Sequence, residues 1–314
     1  RSASTRSSTA ARRSACDVST DVATCGLVVL DEADWRERQR RHEERVEPWV
    51  APRRDRRLRS QAHPVDDFLF DYYPYSVAKL RAWHPGHGVV LRGDAREFLA
   101  QKAYRRTADG VSLDPSRLTG LAPRLRLVER LLAATAERPP QLGCFGLHEW
   151  AMVHGQAPDE VRHSSYPLRV APDEVVRLVD EQGLRCTHID AYRFFTPSSL
   201  PLNAHEPTRE TQHELEQPGC LHANMDLYKY AMWFSPFIAS ELVADCFALA
   251  RQARELDMRA APYDLVELGY EPIRIETPEG RREYAGRQRE VADVAAPLRA
   301  RLLAEVSGLL ASAT

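Results

Sequence analysis

The sequence contains no long apolar run. No segment approaches the roughly 20 consecutive apolar residues that a membrane-spanning helix requires. The stretch before Gly26 is rich in Ser, Ala, Thr and Arg, and it lacks the apolar centre of a signal peptide. We therefore expect a cytoplasmic protein with no membrane partner.

Several common disulfide and cofactor patterns are also missing. The six cysteines form no C-x-x-C pair, which argues against a zinc ribbon and against a disulfide framework. The chain has no G-x-G-x-x-G, no G-x-x-x-x-G-K-[ST] and no G-x-S-x-G. We therefore expect no nucleotide cofactor and no serine nucleophile of the α/β-hydrolase type.

Composition is typical of a globular protein, with 43% hydrophobic and 28% charged residues. Residues 1–25 have few large apolar side chains. Because they cannot bury enough surface to offset the entropy of ordering, we predict a disordered tail. The remainder, 26–314, is predicted to form one mainly α-helical domain with a few short β-strands, and its functional segment is 143–233.

Periodicity and helix-breaking residues predict the individual elements. A charged helix over 31–47 should end at Pro48 and Pro52. Ser235 followed by Pro236 combines a hydroxyl cap with a first-turn proline, which predicts the start of a helix running to about Met258. Its packing stripe is Ile238, Leu242, Cys246, Ala250 and Ala253. Further helices are expected over 94–104, 123–137 and 278–311, and short strands over 89–91 and 272–276.

Arginines are concentrated in the segment 36–59, which contains ten of them against five acidic residues. Such a local excess of positive charge suits contact with the phosphates of DNA. The alternative is a solvated helix whose arginines form ion pairs with neighbouring acids.

The strongest functional signal is a concentration of histidines in the centre of the chain. Seven of the eleven fall there, and they are His148, His154, His163, His188, His205, His213 and His222.

The first motif, GCFGLHEWAMVH, predicts a helix from about Gly146 that carries His148, Glu149 and Trp150. A His–Glu dipeptide near a helix start can supply a general acid or base. The alternative is that both side chains only cap or bridge neighbouring helices.

The second motif, RCTHIDAYRFFTP, follows Gly183 and alternates apolar and polar residues over 184–190. This alternation predicts a strand with His188 and Asp190 side by side on one face, next to Tyr192 and Arg193. An imidazole beside a carboxylate suits either a metal ion or a histidine oriented by an acid.

The third motif, EQPGCLHANMDLYKYA, predicts a helix that begins after Gly219 and has two distinct stripes. The packing stripe is Leu221, Met225, Tyr228 and Met232. The polar stripe is His222, Asp226, Lys229 and Trp233. A polar stripe on an otherwise apolar helix is either a surface ladder of ion pairs or one wall of a pocket, and the aromatic content favours the pocket. We therefore expect His188, Asp190, His222 and Asp226 to converge on one cavity, with His148 or Glu149 at its rim.

Together with HPVDDFLFDYY and LDMRAAPYDL, the three motifs resemble a family of actinobacterial proteins labelled 3-methyladenine DNA glycosylase, over roughly residues 30 to 300. The resemblance implies hydrolysis of the N-glycosidic bond of an alkylated base, with a carboxylate supporting the transition state and aromatics stacking on the flipped base. It implies DNA as the partner, contacted in part by the segment 36–59. The predicted catalytic residues are His148, Glu149, His188, Asp190, His222 and Asp226. The predicted substrate-binding residues are Trp150, Tyr192, Arg193, Tyr228, Lys229 and Trp233.

Three interpretations remain open at this point. The first is a hydrolase with a His/carboxylate centre that excises alkylated bases from DNA. The second is a metal-dependent enzyme that acts on a small molecule and holds a divalent ion through His188, Asp190 and His222. The third is a non-enzymatic binding protein in which these polar groups fix the packing of helices.

Overall fold

A computed structural model describes residues 27–157 and 166–313, and these form one mainly α-helical domain with a small sheet. The helices are α1 (Glu32–Leu58), α2 (Phe68–Tyr72), α3 (Val77–Arg81), α4 (Arg96–Leu99), α5 (Ala122–Ala136), α6 (Leu147–Ala151), α7 (Pro172–Gln182), α8 (Ile189–Tyr192), α9 (Gln212–Leu215), α10 (Leu221–Trp233), α11 (Ser240–Ala260) and α12 (Pro278–Ala313). The predicted fold class is confirmed. The predicted disordered tail, 1–25, and His163 lie outside the described residues.

The four short strands β1 (Val28–Leu30), β2 (Val89–Leu91), β3 (Tyr104–Thr107) and β4 (Gly110–Leu113) form one sheet in the order β1-β2-β4-β3. β1 and β2 are parallel, and the other two pairs are antiparallel. Gly110 begins β4 with φ of 148°, and a Cβ atom there would lie 2.2 Å from the carbonyl oxygen of Leu91. Only glycine fits this position, where two backbones approach closely.

The prediction that α1 ends at Pro48 and Pro52 is wrong, because the helix continues to Leu58. The two prolines lie four residues apart on its exposed face, so water can bind the carbonyl groups that lose an internal hydrogen bond. The opposite face buries Trp35 and Val50 together with His42 and Val46. Packing of that face holds the helix together despite the prolines.

Three long helices, α10, α11 and α12, pack against one another at the centre of the domain, and α5 packs against α12. The predicted stripe of α11, from Ile238 to Ala253, is buried as expected. The predicted start of this helix is wrong. Ser235 and Pro236 lie in the turn between α10 and α11, where the N–H groups of residues 237 and 238 bond to the carbonyl of Phe234, and α11 begins at Ser240.

Two further predictions need correction. The segment 94–104 is helical only over α4, since Tyr104 begins β3 and pairs with Leu113. The segment 272–276 forms no strand; Ile273 and Ile275 alternate because both are buried in the core beside the start of α12. The predicted helices over 123–137 and 278–311 are confirmed as α5 and α12, and the predicted strand over 89–91 as β2.

Among the described helices, none combines the length and apolar character needed to cross a membrane.

Candidate metal centre and substrate cleft

The predicted strand over 184–190 does not form. Leu184 makes an isolated bridge with Asn203, and the chain enters α8 at Ile189. The side chain of Asn203 accepts a hydrogen bond from the N–H of Cys186 at 2.7 Å and donates one to its carbonyl oxygen at 3.0 Å. Because a side chain satisfies these backbone groups, no neighbouring strand is required. The alternation in this segment reflects burial and not membership of a sheet.

His148 from α6, His222 from α10 and Asp257 from α11 form a buried group that we call the first triad. Nε2 of His148 and Oδ1 of Asp257 lie 2.8 Å apart and form a buried imidazole–carboxylate pair. The two imidazole rings meet edge to face with their centroids 4.6 Å apart. One potential ligand atom from each residue lies within 4.8 Å of the others. Two histidines and one carboxylate are a donor set for Zn²⁺ or Fe²⁺.

Arg254 orients the carboxylates beside the first triad. Its Nη1 donates to Oδ2 of Asp257 at 3.0 Å and to Oε1 of Glu149 at 2.9 Å. The guanidinium lies over the ring of Phe68, with Cζ 3.7 Å from the ring centroid. The bond to Oδ2 leaves Oδ1 of Asp257 pointing toward the two histidines, which is how an outer residue orients a metal ligand.

Burial and neighbouring charges shift the pKa values of the first triad. Burial lowers the pKa of His148, but the Asp257 carboxylate outweighs burial and raises it overall. Burial, reinforced by His148, holds the pKa of His222 well below its usual range. Burial would raise the pKa of Asp257, but His148 lowers it overall. His222 is therefore uncharged and Asp257 ionised at neutral pH, the forms in which these side chains bind a cation, whereas the raised pKa of His148 favours its protonated form, which would release a proton on binding one.

His188, Glu216 and Asp226 form a second buried group, the second triad. Nε2 of His188 lies 3.3 Å from Oε1 of Glu216 and 3.3 Å from Oδ2 of Asp226. Hydrogen-bond donors surround both carboxylates. Tyr73 donates to Oδ1 of Asp226 at 2.8 Å, and the ammonium of Lys229 makes a close ion pair with Oδ2. Glu216 accepts from the Gln212 side chain at 2.5 Å.

The charges within the second triad are balanced internally. Burial would raise the pKa of Asp226, but Lys229 and His188 together hold it far below its usual range. Burial raises the pKa of Glu216, and His188 only partly opposes that shift. Burial would lower the pKa of His188, but the two carboxylates raise it overall. The result is a compensated ion-pair network.

The two triads touch through their histidines, because the rings of His188 and His222 have centroids 5.4 Å apart. His188, His222 and Asp226 therefore lie in one continuous polar cluster, with His148 beside it. Asp190 lies at its edge, where Arg209 makes a close ion pair with it and Lys229 Nζ lies 3.6 Å away.

The metal ligands predicted from the sequence, His188, Asp190 and His222, do not form one group. His222 belongs to the first triad and His188 to the second. Asp190 is engaged by cationic side chains.

A cleft of about 660 Å³ opens beside the first triad. Its walls combine aromatic and aliphatic side chains with charged groups and histidines in about equal number. The predicted site residues that line it are Glu149, Asp190, Arg193 and His222. The other lining residues are Ala62, His63, Pro64, Phe68, Asp71, Tyr72, Met152, Tyr166, Phe194 and Arg254. His222 connects the cleft with the first triad.

A much smaller cavity, about 20 Å³, lies on another side of His222. Cys144, Cys186 and Cys220 line it together with His148, and its volume suits one water molecule. Burial raises the pKa of Cys186 to about 12. This thiol is therefore protonated and packs as a small apolar group.

Two predicted substrate-binding residues lie in the core. The indole N–H of Trp150 donates to the carbonyl oxygen of Ala260 at 2.8 Å, and the side chain is fully buried. Tyr228 is also fully buried and packs edge to face against Tyr75 and Phe247. Helical spacing alone cannot distinguish a buried aromatic from one that lines a pocket.

The remaining predicted substrate-binding residues, apart from Arg193, also lie away from the cleft walls. Trp233 packs on Tyr230, with the guanidinium of Arg124 over its ring. Lys229 belongs to the second triad's network through Asp226. Tyr192 packs against a neighbouring phenylalanine, Phe195.

Four residues in or beside the triads were not predicted: Phe68, Glu216, Arg254 and Asp257. Arg254 and Asp257 lie three residues apart in α11. The prediction for this segment used only its apolar stripe, and so it did not include them. A useful signal was available, since a charged pair inside a strongly apolar helix must find buried partners. Glu216 precedes Pro218 and carries no comparable signal.

The arginine-rich face of α1 is paired with acids. Arg40 and Arg41 bond to Glu37, and Arg45 reaches Asp245 of α11. Ion pairs also engage Arg36, Arg38, Arg53, Arg54 and Arg56. This is the arrangement expected of a solvated, ion-paired helix.

Comparison with protein-family models, with curated proteins and with solved structures finds no match for the chain.

Proposed function

We propose that the protein is a metal-dependent hydrolase that binds one divalent cation at His148, His222 and Asp257 and acts on a small molecule in the adjoining cleft. The observation that carries this proposal is the convergence of two buried imidazoles and one buried carboxylate, whose potential ligand atoms lie within 4.8 Å of one another beside the cleft that His222 lines. His148 Nε2 and Asp257 Oδ1 lie 2.8 Å apart, and a cation would take the place of the proton between them.

The spacing of the donor atoms supports a cation at this position. With zinc–ligand distances of about 2.0–2.2 Å, ligand atoms of one tetrahedral site lie about 3.4 Å apart. The three donor atoms of the first triad all lie within 4.8 Å of one another, so small side-chain movements would complete the site. Three protein ligands leave a coordination position for water, which is the arrangement of catalytic zinc.

The chemistry follows from the residues that face the cleft. A cation held by His148, His222 and Asp257 would lower the pKa of a water molecule at the site to about 7 and so make that water a nucleophile at neutral pH. Glu149 lines the cleft and shares Arg254 with Asp257, so we assign it as the acceptor of the water proton. Glu149 would pass this proton to the leaving group as the bond between the leaving group and the electrophilic atom of the substrate breaks and the water oxygen takes its place.

The experiment is metal analysis of purified protein, with variants of both triads. We expect one equivalent of zinc or iron in the wild type, its loss in His222→Gln, and its retention in His188→Gln. His188→Gln is the matched control, since both substitutions replace a buried histidine of the same cluster. Equal metal content in the two variants, or a metal-free wild type that takes up no cation on titration, would contradict the proposal.

A second candidate function is excision of alkylated bases from DNA. Its support is the aromatic wall of the cleft, where Phe68 and Tyr72 stack with centroids 5.0 Å apart, and the Asp190 carboxylate on the same cleft. A flipped base would stack on such a wall, and a carboxylate would stabilise the positive charge that develops on the sugar. The phosphate contacts would come from the segment 36–59.

Release of free base from alkylated duplex DNA tests this second candidate, with and without chelator. Base release that survives chelator and falls by orders of magnitude in Asp190→Asn would establish it. No base release and no DNA affinity at low salt would eliminate it. We place it second because acids already pair with most arginines of α1.

A further inference from the structure

Arg254 has donors that the protein leaves unused. The side chain is 1% exposed, and its Nη1 bonds to Glu149 and Asp257. Its Nε and Nη2 have no hydrogen-bond partner within residues 27–157 and 166–313. A buried guanidinium with two unsatisfied nitrogens is costly, because each donor has lost its contact with water.

A partly buried arginine in the same chain shows what a fully satisfied one looks like. Arg169 donates from Nε to the carbonyl oxygen of Ala261, and from Nη1 and Nη2 to the two carboxylate oxygens of Glu276. Every nitrogen of Arg169 has an acceptor. Arg254, which is more deeply buried, is not paired in this way.

The unused nitrogens form one edge of the guanidinium. Nε and Nη2 point in the same direction and present two parallel donors, which match the two oxygens of a carboxylate or phosphate. The Phe68 ring on the guanidinium face and the two carboxylates on Nη1 hold this edge in place. Arg254 also lines the cleft.

We propose that the cleft binds an oxyanion, the carboxylate or phosphate of the substrate, on the Nε–Nη2 edge of Arg254. The role of this group as part of a substrate rests on the proposed function, whereas the anion site itself does not require the metal. Because Asp257 bonds to Arg254 through one oxygen and belongs to the first triad through the other, the oxyanion would sit beside the metal site. The aromatic walls formed by Phe68 and Tyr72 favour a ring attached to that group.

The test uses three probes of similar size: benzoate, phenyl phosphate and uncharged benzamide. Binding is measured by calorimetry on wild type, Arg254→Lys and Arg251→Lys, each with zinc and with EDTA. Lysine keeps the positive charge but has no two-donor edge. Arg251 lies in the same helix, outside the residues that line the cleft, so its variant is the matched control.

We expect benzoate or phenyl phosphate to bind the wild type at least tenfold more tightly than benzamide, with or without zinc. Arg254→Lys should lower the affinity for the anion at least tenfold, and Arg251→Lys should change that affinity less than twofold. Whichever of the two anions binds more tightly identifies the substrate group.

Three outcomes would overturn the inference. They are equal affinity for benzamide, unchanged anion affinity in Arg254→Lys, and loss of anion binding in EDTA, which would place the anion on the metal. The comparison of benzamide with the two anions needs no variant, so it decides the question even where Arg254→Lys fails to fold. Failure of metal uptake combined with anion binding in EDTA would refute the proposed function and leave the anion site standing.

Discussion

The two triads contain the same kinds of side chain and lie in contact, yet their surroundings differ. In the second triad Lys229 and Tyr73 donate to Asp226, and Gln212 donates to Glu216. In the first triad Asp257 pairs with Nε2 of His148 at 2.8 Å and accepts a hydrogen bond from Arg254 at 3.0 Å.

Both triads are suitable for a metal on ligand type and spacing alone. Among the described residues, His222 of the first triad lines the large cleft, whereas no residue of the second triad does. The ammonium of Lys229 already neutralises Asp226 in the second triad. Access to the cleft and the absence of a competing ammonium are therefore the reasons why we propose the first triad as the metal site.

The largest effect is expected from Asp257→Asn, which removes the only carboxylate of the first triad. An amide oxygen is a weaker ligand than a carboxylate and carries no charge, so cation affinity should fall more than about 100-fold, beyond the loss typical of outer residues. Turnover should fall with it. Titration of chelator-treated protein with zinc measures the affinity, and an unchanged value would mean that the two triads do not differ in this way.

The matching change in the second triad is Asp226→Asn, which should affect folding and not metal content. It removes the carboxylate that Lys229 and His188 share, leaving Asp190 at 3.6 Å from Lys229 and Glu216 at 3.3 Å from His188. We expect a loss of up to about 3–5 kcal/mol in the free energy of unfolding. Urea denaturation measures this loss, and metal analysis of the same sample supplies the control. A stable variant that has lost its metal would reverse the roles of the two triads.

His84, a buried histidine that belongs to neither triad, shows how stability depends on pH where no carboxylate lies beside the imidazole. Burial lowers the pKa of His84 to about 4, and no carboxylate opposes the shift. Its folded pKa lies below the unfolded value of 6.5, so unfolded protein binds the proton first as pH falls. As the pH falls from 6.5 to 4, His84 therefore lowers the free energy of unfolding by roughly 3 kcal/mol.

His84→Gln should consequently flatten the loss of stability over that range, as measured by urea denaturation at several pH values. His205→Gln, at a partly exposed position, should reproduce the wild-type curve. If His84→Gln loses stability with falling pH as steeply as the wild type, His84 must be charged in the folded state.

The smallest expected effect is a gain of cation binding in the second triad. Lys229→Met removes the ammonium that pairs with Oδ2 of Asp226 and should allow a cation to bind there. The variant should be less stable than the wild type without metal. It should bind a second equivalent of zinc, which stabilises it by about 2.7 kcal/mol at 100 times the dissociation constant. Thermal denaturation against zinc concentration measures this, and a single equivalent would show that Lys229 is not what closes the second triad.

Much of the fold could be predicted because it depends on local patterns. The stripe of α11 and the length of α12 follow from helical periodicity, which each segment carries by itself. The errors occur where partners distant in sequence decide the outcome. Pro48 and Pro52 lie on a helix face whose exposure depends on what packs opposite, and the alternation before His188 is supported by the side chain of Asn203.

The chain by itself determined that polar side chains would gather in its central segment, because His148, His188, His222 and Asp226 are each embedded in apolar surroundings and must be buried together. Only the tertiary structure decided how they divide into groups. Asp257 and Arg254 approach from α11, more than 100 residues after His148, and Lys229 turns toward Asp226. Whether a buried carboxylate is satisfied depends on atoms brought within about 3 Å by folding, and no local pattern encodes that distance.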